Sequence, residues 1–169
     1  KVMKKFNCTT IVFSSSATVY GHNKKFLINE KSHLKPTNPY GKTKLAIEDI
    51  LGTLFLSDKK LWKISILRYF NPVGAHFSGL IGEDPIGIPN NLFPIITQVA
   101  LRKIKILEIY GDDWDTSDGT CERDYIHVMD LADGHVKALE FLKKEPPTFH
   151  HINLGTGIGT SVLKIVNVF

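Results

Sequence analysis

Apolar and polar stretches alternate along the chain in a way that predicts strands separated by helices. A β-branched run at 10–14 leads into serines and is typical of a strand buried on both faces. Apolar runs at 64–70, 105–110 and 151–154 predict three further strands. Strands that are interrupted by longer amphipathic stretches indicate an α/β protein.

Helical periodicity fills the segments between these strands. Asn38 followed by Pro39 predicts a helix start, since asparagine caps the first amides and proline needs no partner at the first position. Apolar repeats at 92–102 and 128–143 predict two more helices. The helix behind Asn38 is predicted to bury Leu45, Ile47, Ile50, Leu51, Leu54 and Phe55. Strands and helices in this order predict βαβ units and a parallel sheet.

Both ends of the sequence resemble interrupted elements. Residues 1–6 have the pattern of the end of a helix, and an amphipathic pattern that begins at Ser161 reaches Phe169 without a cap. We therefore expect a fragment of a larger enzyme. Residues 71–91 are rich in glycine and proline and predict a long irregular stretch, a kind of segment that often carries function.

Composition argues against several classes of function. The 169 residues carry a formal charge of +4, and the basic excess lies in short scattered pairs that do not resemble a nucleic-acid-binding stripe. No apolar run approaches the ~20 residues of a membrane span, and no signal peptide is recognisable. Cys8 and Cys121 are isolated, and the seven histidines lack metal-ligand spacing. We therefore expect a cytoplasmic protein with no metal, no nucleic-acid partner and no membrane segment.

The first chemical signal is a Tyr-x-x-x-Lys spacing at Tyr40 and Lys44. Residues four apart share one helix face, and an ammonium lowers the pKa of a neighbouring phenol because it favours the phenolate. A tyrosine that acts as a base near pH 7 needs its pKa lowered by about three units. Such a shift requires a partly desolvated site, and a second positive charge would help. Tyr20 and Lys24 have the same spacing, but their sequence predicts a turn.

Six collinear segments resemble the UDP-galactose 4-epimerases of the extended short-chain dehydrogenase/reductase superfamily. They span nearly the whole chain in the family's order and at its natural spacings. The segments are FSSSATVYG at 13–21, NPYGKTK at 38–44, LRYFNPVGAH at 67–76, GEDPIGIPNNL at 82–92, RDYIHVMDLADGH at 123–135 and NLGTG at 153–157.

The resemblance implies a nicotinamide-dependent reaction on a nucleotide sugar. Tyr40 would remove the proton of the sugar 4-hydroxyl while the hydride of C4 passes to NAD+, and the hydride would return to the other face of the 4-keto sugar. Lys44 would hold the nicotinamide ribose, and Ser16 would hydrogen-bond the reacting hydroxyl. The implied catalytic residues are Tyr40, Lys44 and Ser16, and the implied cofactor-binding residues are Ser14, Tyr40, Lys44 and Phe70.

The resemblance also implies a site for UDP-galactose and UDP-glucose. Asn90 and Asn91 precede a predicted helix whose N-terminal amides favour a diphosphate, and Arg123 can bind phosphate with two N–H groups. The segment 107–110 resembles the part of the family that lies along the uridine. The implied substrate-binding residues are Ser16, Thr18, Asn71, Asn90, Asn91, Leu92, Glu108, Ile109, Tyr110 and Arg123.

The family's fold implies how the chain is divided. Residues 1–71 would form the second half of a Rossmann-like NAD-binding domain, and residues 72–169 would form mostly the UDP-sugar-binding lobe, with elements returning to the main sheet. The first βαβ units would be missing, because the glycines at 155–159 lack the Gly-x-Gly-x-x-Gly spacing and predict a tight turn. The family pairs as a homodimer through the helix of Tyr40 and the helix before it, so a homodimer is expected.

Some features keep alternatives open. Cys121 and Glu122 stand where the family has small or aliphatic residues, and Glu122 puts a negative charge beside Arg123. A 4,6-dehydratase of this superfamily typically carries Thr-Asp-Glu after the serine strand, whereas Thr18 is followed by valine and tyrosine. The alternatives are another nucleotide-sugar epimerase or dehydratase and a non-catalytic truncated domain. The chain alone is expected to be inactive, since much of the cofactor site would be missing.

Overall fold

The computed structural model describes residues 1–22 and 27–169, which divide into two compact units. The first unit comprises Lys1–Phe70 and Asp130–Gly155, and the second comprises Asn71–Met129 and Thr156–Phe169. The assignment of an NAD-binding part and a UDP-sugar-binding part on either side of residue 71 stays a prediction. In chain order the elements are α1 (Val2–Lys5), β1 (Thr10–Ser16), a 3-10 helix (Ala17–Tyr20), α2 (Pro39–Ser57), β2 (Lys63–Tyr69), β3 (Asn71–Val73), α3 (Leu92–Ala100), β4 (Glu122–His127), α4 (Val128–Lys144), β5 (Thr148–Leu154), β6 (Gly159–Ser161) and α5 (Val162–Val168).

A parallel three-stranded sheet of order β1-β2-β5 organises the first unit. Successive side chains of a strand point to opposite faces, so each strand serves both faces of the sheet. On one face Ile64 and Ile66 pack with Leu51 of α2. On the other face α4 approaches so closely that a Cβ added to Gly134 would lie 3.0 Å from the Leu154 side chain. The α/β fold with a parallel sheet is thereby confirmed.

Helix α2 does not bury the face that its apolar residues predict. Leu51 is buried and Leu54 packs against the core, but Ile50 is 65% exposed and Ile47 is also exposed. Glu48, which the pattern of apolar positions leaves out, is buried instead. The expected face was wrong in these positions because a charged partner in the sheet, described below, makes burial of a carboxylate possible.

The second unit contains a small mixed sheet in which β3 pairs with β4 in parallel and β4 pairs with β6 in antiparallel orientation. Strand β3 lies within the stretch at 71–91 that was expected to be irregular. The predicted strand at 105–110 is wrong, because this segment has no regular secondary structure. Its Ile106 and Tyr110 side chains are exposed, so the half-buried pleated surface that favours β-branched and aromatic residues is absent here.

The remaining predicted elements are present with shifted ends. Helix α3 ends at Ala100 rather than at 102, where Arg102 has a φ of 58° that a helix does not allow. Strand β5 begins at Thr148, three residues before its predicted start, and α4 ends one residue later than predicted. No helix in the described ranges 1–22 and 27–169 combines the length and apolarity needed to cross a membrane.

The cap of α2 gives a first test of the fold. The Asn38 Oδ1 atom accepts a hydrogen bond of 2.7 Å from the Gly41 amide, and Pro39 occupies the first helical position. We expect Asn38→Ala to lower the free energy of unfolding by about 1 kcal/mol, because one helix amide loses its acceptor. Urea unfolding followed by far-ultraviolet circular dichroism measures this loss.

Asn167→Ala is the matched control for that substitution. Asn167 is an exposed residue inside α5, so its replacement removes the same amide group without removing a cap. Its effect should stay within about 0.5 kcal/mol. Equal losses for the two variants would contradict the capping role of Asn38.

Candidate active site

Tyr40 and Lys44 lie in the first two turns of α2, beside the carboxyl end of β1. The Lys44 Nζ atom lies 5.4 Å from the centre of the Tyr40 ring and 5.2 Å from that of Phe13. It also donates a 2.9 Å hydrogen bond to the backbone carbonyl of Ser14. An ammonium has three N–H donors. One is therefore used to fix Lys44 to β1, and two remain for other acceptors.

Ser16 ends β1 and caps the 3-10 helix that follows. Its Oγ atom accepts hydrogen bonds from the Thr18 amide at 3.2 Å and from the Thr18 hydroxyl at 3.0 Å. Because both of these contacts use the oxygen as an acceptor, the hydroxyl proton of Ser16 can be donated to another group. Thr18 thus orients the Ser16 hydroxyl.

Gly41 permits the close approach of α2 to the 3-10 helix. A Cβ added to Gly41 would lie 2.8 Å from the Thr18 carbonyl oxygen and 3.0 Å from the Pro36 side chain. Neither contact could relax by a simple side-chain rotation. The Thr18 oxygen belongs to the backbone, and the Pro36 atom is the Cβ of a proline ring. The absence of a side chain at Gly41 therefore brings the start of α2, with Tyr40, up to Thr18.

Tyr69 is a site residue that the sequence did not reveal. It is the register partner of Ser16 in the pairing of β1 with β2. Burial raises the pKa of the Tyr69 phenol, and the neighbouring Tyr40 phenol raises it further. The only signal in the sequence was its position at the end of a strand parallel to β1, since the carboxyl ends of parallel strands meet at one sheet edge.

Ser14 links β1 to α4 through its side chain. Its Oγ atom lies 2.8 Å from Nε2 of His135, and Nδ1 of the same ring lies 2.9 Å from the Leu131 carbonyl oxygen. Since a carbonyl only accepts, Nδ1 carries a proton, and in a neutral ring Nε2 then accepts a hydrogen bond from the Ser14 hydroxyl. His135 was not singled out in the sequence. The half-buried Phe70 follows β2, and its amide donates to the Leu154 carbonyl at 3.0 Å.

A buried ionic network lies beneath the Tyr40–Lys44 pair. The Arg68 Nη2 atom donates to Glu48 Oε2 at 2.5 Å, and Arg68 Nε lies 3.1 Å from Oε1 and 3.2 Å from Oε2. The Ser15 hydroxyl donates to the same carboxylate. Burial lowers the pKa of Arg68, but its hydrogen bonds to Glu48 and Tyr20 outweigh burial, so the pKa is raised. The guanidinium therefore stays charged.

Tyr20, the tyrosine of the second Tyr-x-x-x-Lys spacing, belongs to this network. Its hydroxyl donates to Asn153 Oδ1 at 2.7 Å and accepts from Arg68 Nη1 at 3.0 Å. Burial raises the pKa of Tyr20, and Arg68 only partly offsets this. Tyr20 ends the 3-10 helix rather than a plain turn, and its spacing partner Lys24 lies outside the described residues. These contacts give Tyr20 a structural role.

The asparagines expected to bind substrate lie in the second unit. The Asn71 Nδ2 atom donates to the Asp124 carbonyl oxygen at 3.0 Å, so this amide joins β3 to β4. Asn91 precedes α3, and its Nδ2 atom donates to Glu83 Oε1 at 3.2 Å. The Asn91 side chain makes no capping hydrogen bond to α3, and the first amides of that helix are left for other acceptors. Asn90 is exposed just before Asn91, and Leu92 begins the helix.

Arg123 is exposed on β4, one residue after Glu122. The two side chains point to opposite faces of the strand, as successive residues do. The Glu122 carboxylate lies against the backbone of Gly159, where an added Cβ would be 3.2 Å from Glu122 Oε2. The Arg123 Nη1 atom donates to the Glu122 carbonyl at 2.8 Å, which leaves other guanidinium donors available. The negative charge expected beside Arg123 is therefore directed away from it.

The segment expected along the uridine is exposed. Ile109 is 38% exposed and Tyr110 is 82% exposed, and the Tyr110 hydroxyl donates to Glu108 Oε2 at 2.8 Å. The Glu108 carboxylate raises the pKa of Tyr110 because it accepts a hydrogen bond from the phenol.

The structure thus brings Tyr40, Lys44, Ser14, Ser16 and Thr18 together in the first unit. It does not bring Glu108, Ile109 and Tyr110 into a strand.

The glycine-rich turn after β5 has a different role from a dinucleotide-binding turn. The Asp124 carboxylate accepts hydrogen bonds from the amides of Thr156 at 2.9 Å and Gly157 at 2.8 Å. Gly157 has a φ of 75°, which favours glycine. A carboxylate thus occupies the amides that a phosphate would need.

Among the described residues, no group of three or more His, Cys, Asp or Glu side chains is arranged to hold a metal ion.

The fold and the site together define a class of protein. A parallel sheet covered by helices, with a serine at a strand end and a Tyr-x-x-x-Lys pair at a helix start, is the arrangement of the extended short-chain dehydrogenase/reductases. Residues 1–155 match the NAD dependent epimerase/dehydratase family. The chain belongs to this family.

Its relatives agree in sequence and in structure. UDP-glucose 4-epimerase 2 of Arabidopsis thaliana is 55% identical over 169 residues, which are 100% of this chain and 48% of the relative. The structure of UDP-glucose 4-epimerase from Bifidobacterium longum in complex with NAD+ and UDP has a TM-score of 0.90 and 52% identity over 98% of this chain and 49% of that one. The enzyme from Stenotrophomonas maltophila with bound NAD and formylated UDP-arabinopyranose has a TM-score of 0.93 and 47% identity over 98% and 48%. The chain thus spans about half the length of the relatives it matches.

The buried network makes folding stability depend on pH through His151. Its Nε2 atom lies 3.7 Å from Glu48 Oε2, yet burial and the Arg68 charge lower its pKa more than the Glu48 and Glu30 carboxylates raise it. The folded chain therefore binds a proton at His151 less readily than the unfolded chain. Stability from this group is present above about pH 6.5, the ordinary histidine pKa, and is lost as pH falls below that value.

We expect His151→Gln to reduce this loss of stability on acidification. The measurement is the free energy of unfolding in urea at pH 7.5 and at pH 5.5, compared between the variant and the unsubstituted chain. His150→Gln removes an imidazole from the same strand but from its other face, where His150 packs against Phe141. If both variants changed the pH slope equally, the origin in the Arg68 network would be refuted.

Proposed function

We propose that this chain supplies the catalytic pair and part of the sugar-nucleotide site of an NAD-dependent enzyme that interconverts UDP-galactose and UDP-glucose. One observation carries the proposal. Lys44, fixed to the Ser14 carbonyl at 2.9 Å, holds its ammonium beside the half-exposed Tyr40 ring at the strand end that carries Ser16. The relatives that are UDP-glucose 4-epimerases support this function.

In this mechanism the chain's own residues move one proton. Tyr40 accepts the proton of the sugar 4-hydroxyl and later returns it, and Ser16 donates a hydrogen bond to the reacting oxygen. The Lys44 ammonium lies 5.4 Å from the centre of the Tyr40 ring, one turn further along the same helix. Thr18 keeps the Ser16 oxygen occupied as an acceptor, so the Ser16 proton remains directed to the substrate.

The donors of the first unit fit the nicotinamide end of NAD. Lys44 retains two N–H groups that suit the hydroxyls of a ribose, and Ser14, Tyr40 and Phe70 lie on the adjoining segments. When bound, NAD would supply a hydride acceptor for sugar C4 in its oxidised form and a hydride donor in its reduced form. Structures of related epimerases contain NAD, which supports this assignment.

The donors of the second unit suit a uridine diphosphate. Arg123 offers charged N–H groups, and the amides at the start of α3 behind Asn90 and Asn91 favour an anion. Asn71 and Leu92 belong to the same proposed site, and Glu108, Ile109 and Tyr110 would border the uridine. The complex of the Bifidobacterium longum enzyme with UDP supports a UDP-sugar as substrate.

A 4,6-dehydratase is the weaker alternative. Elimination needs an additional acid and base after the serine strand, where this chain has Val19 and Tyr20. Val19 is fully buried, and the Tyr20 hydroxyl is engaged by Arg68 and Asn153. Neither side chain is available for proton transfer to a substrate, which favours epimerisation.

The cellular setting follows from this function. Interconversion of these two UDP-sugars belongs to galactose metabolism, and we propose a cytoplasmic location, in keeping with the free thiols of Cys8 and Cys121. We also propose a homodimer through α1 and α2, whose exposed apolar residues include Val2, Ile47 and Ile50. A tagged protein found outside the cytoplasm would contradict the proposed cytoplasmic location.

Substitution of Tyr40 tests the proposed chemistry. The host is an epimerase chimera, in which this chain replaces the matching segment of UDP-glucose 4-epimerase 2 of Arabidopsis thaliana. We expect Tyr40→Phe to lower kcat for UDP-galactose by about 10²-fold to 10⁴-fold, because the phenolic oxygen that takes the proton is lost. The rate is measured as formation of UDP-glucose, in a coupled assay in which a second enzyme oxidises the UDP-glucose formed.

Tyr125→Phe is the matched control in the same chimera. The Tyr125 ring packs against Phe93 at 5.5 Å, and this variant also removes only a phenolic oxygen. It should retain near-normal turnover, and the isolated 169-residue chain should have none, as a non-catalytic domain would. An inactive unsubstituted chimera, or a Tyr40→Phe chimera with near-normal kcat, would refute the proposed function.

The proposed dimer has its own test in the chimera. We expect Ile50→Glu to shift the equilibrium from dimer to monomer, because a buried unpaired carboxylate in an apolar interface is costly. Val136→Glu changes an exposed apolar residue of α4 and should leave the dimer intact. Sedimentation equilibrium distinguishes the two outcomes, and a dimer of unchanged affinity in Ile50→Glu would contradict the proposed interface.

A further inference from the structure

The Ser15–Glu48 hydrogen bond is a cross-link that the mechanism above does not use. Ser15 is fully buried in β1, and its hydroxyl donates to Glu48 Oε1 of α2. The carboxylate is held from the other side by Arg68 of β2, with hydrogen bonds of 2.5 Å to Oε2 and 3.1 Å to Oε1. One carboxylate therefore connects a helix with two neighbouring strands.

This cross-link lies directly behind the candidate catalytic residues. Ser15 immediately precedes Ser16, and Glu48 follows Lys44 by four residues on the same face of α2. Lys44 itself donates to the carbonyl of Ser14 at 2.9 Å. Two polar contacts one helical turn apart thus join the strand end that carries Ser16 to the helix that carries Lys44.

Stability alone does not account for an ion pair at this position. Much of the face of the sheet that α2 covers is apolar, with Ile64 and Ile66 packed against Leu51. Replacing a buried ion pair by apolar residues of similar volume is often neutral or stabilising. Apolar packing tolerates small sliding movements of a helix, whereas hydrogen bonds have a narrow range of distance and angle. The distinctive property of this contact is the geometry that it imposes.

We propose that Ser15 and Glu48 are positioning residues, which fix the register of α2 against β1 so that Tyr40 and Ser16 address the same sugar hydroxyl. The inference rests on the proposed function. Arg68 contributes by neutralising and orienting the Glu48 carboxylate, while Tyr20 and the Glu30 carbonyl hold the other guanidinium nitrogen at 3.0 and 3.3 Å.

A loss of this register should affect turnover more than substrate binding. A misplacement of about 1 Å can cost about 10²-fold in rate, because proton transfer needs aligned donors and acceptors. The UDP-binding donors proposed above belong to the second unit, whereas Ser15 belongs to the first. We expect Ser15→Ala to lower kcat by about tenfold or more and to leave KM for UDP-galactose within about twofold.

Steady-state kinetics of the epimerase chimera tests this expectation. Ser65→Ala is the matched control: Ser65 is a fully buried serine of the adjacent strand β2, and its hydroxyl has no hydrogen-bond partner among the described residues. This control should keep the kcat of the unsubstituted chimera. Ser15→Thr retains the hydroxyl and should recover most of the kcat that Ser15→Ala loses.

A double variant separates positioning from folding. Glu48→Leu with Arg68→Met replaces the ion pair by apolar side chains, and we expect a chimera that still folds and whose kcat falls as in Ser15→Ala. Its melting temperature should be lower, because the Ser15 and Tyr20 hydroxyls each lose a hydrogen-bond partner. A folded double variant with full kcat would overturn the positioning role, as would a Ser15→Ala chimera that turns over like Ser65→Ala. An inactive unsubstituted chimera would instead overturn the proposed function on which the inference rests.

Discussion

The packing of α2 against the parallel sheet is the constraint on which the candidate site depends. Along the helix this packing changes in kind. At the start, Gly41 allows backbone contact with Thr18. In the middle, Glu48 meets Arg68 in a buried ion pair. Further on, Leu51 enters the apolar cluster of the sheet. Backbone proximity and hydrogen bonds, which tolerate little movement, thus lie near the proposed catalytic residues, while the apolar contacts that supply most of the burial energy lie farther away.

Parallel strands explain why the polar groups of the first unit converge. All strands of the sheet end at the same edge, so Ser16 and Tyr69 become register partners although 53 residues separate them. The N-terminus of α2 meets this edge and adds Tyr40. Side chains from distant parts of the sequence are therefore brought together by the strand direction alone, which is why binding sites in open α/β sheets lie at the carboxyl ends of the strands.

The sequence predicts the parts of this structure that are determined locally. The strands β1, β2 and β5 follow from short apolar runs, and the start of α2 follows from Asn38, whose side chain does cap the helix. The burial of Glu48 could not be predicted in this way, because it depends on Arg68, which is 20 residues away in the sequence. The segment 105–110 shows the opposite error. Its residues favour a strand, but a strand also needs a neighbour that provides hydrogen bonds and a surface to pack on.

The two Tyr-x-x-x-Lys spacings illustrate how environment, rather than spacing, decides chemical role. Tyr20 is fully enclosed, its hydroxyl already donates to Asn153 and accepts from Arg68, and burial raises its pKa. A buried phenol with a raised pKa keeps its proton near neutral pH, and its hydroxyl is already occupied by its two partners. Tyr40 is half exposed and has the Lys44 ammonium beside its ring. The buried tyrosine helps to hold the network behind the helix, and the exposed one is the proposed catalytic residue. Two tyrosines of identical spacing thus differ in environment, and only Tyr20 contacts Arg68, the partner of Glu48.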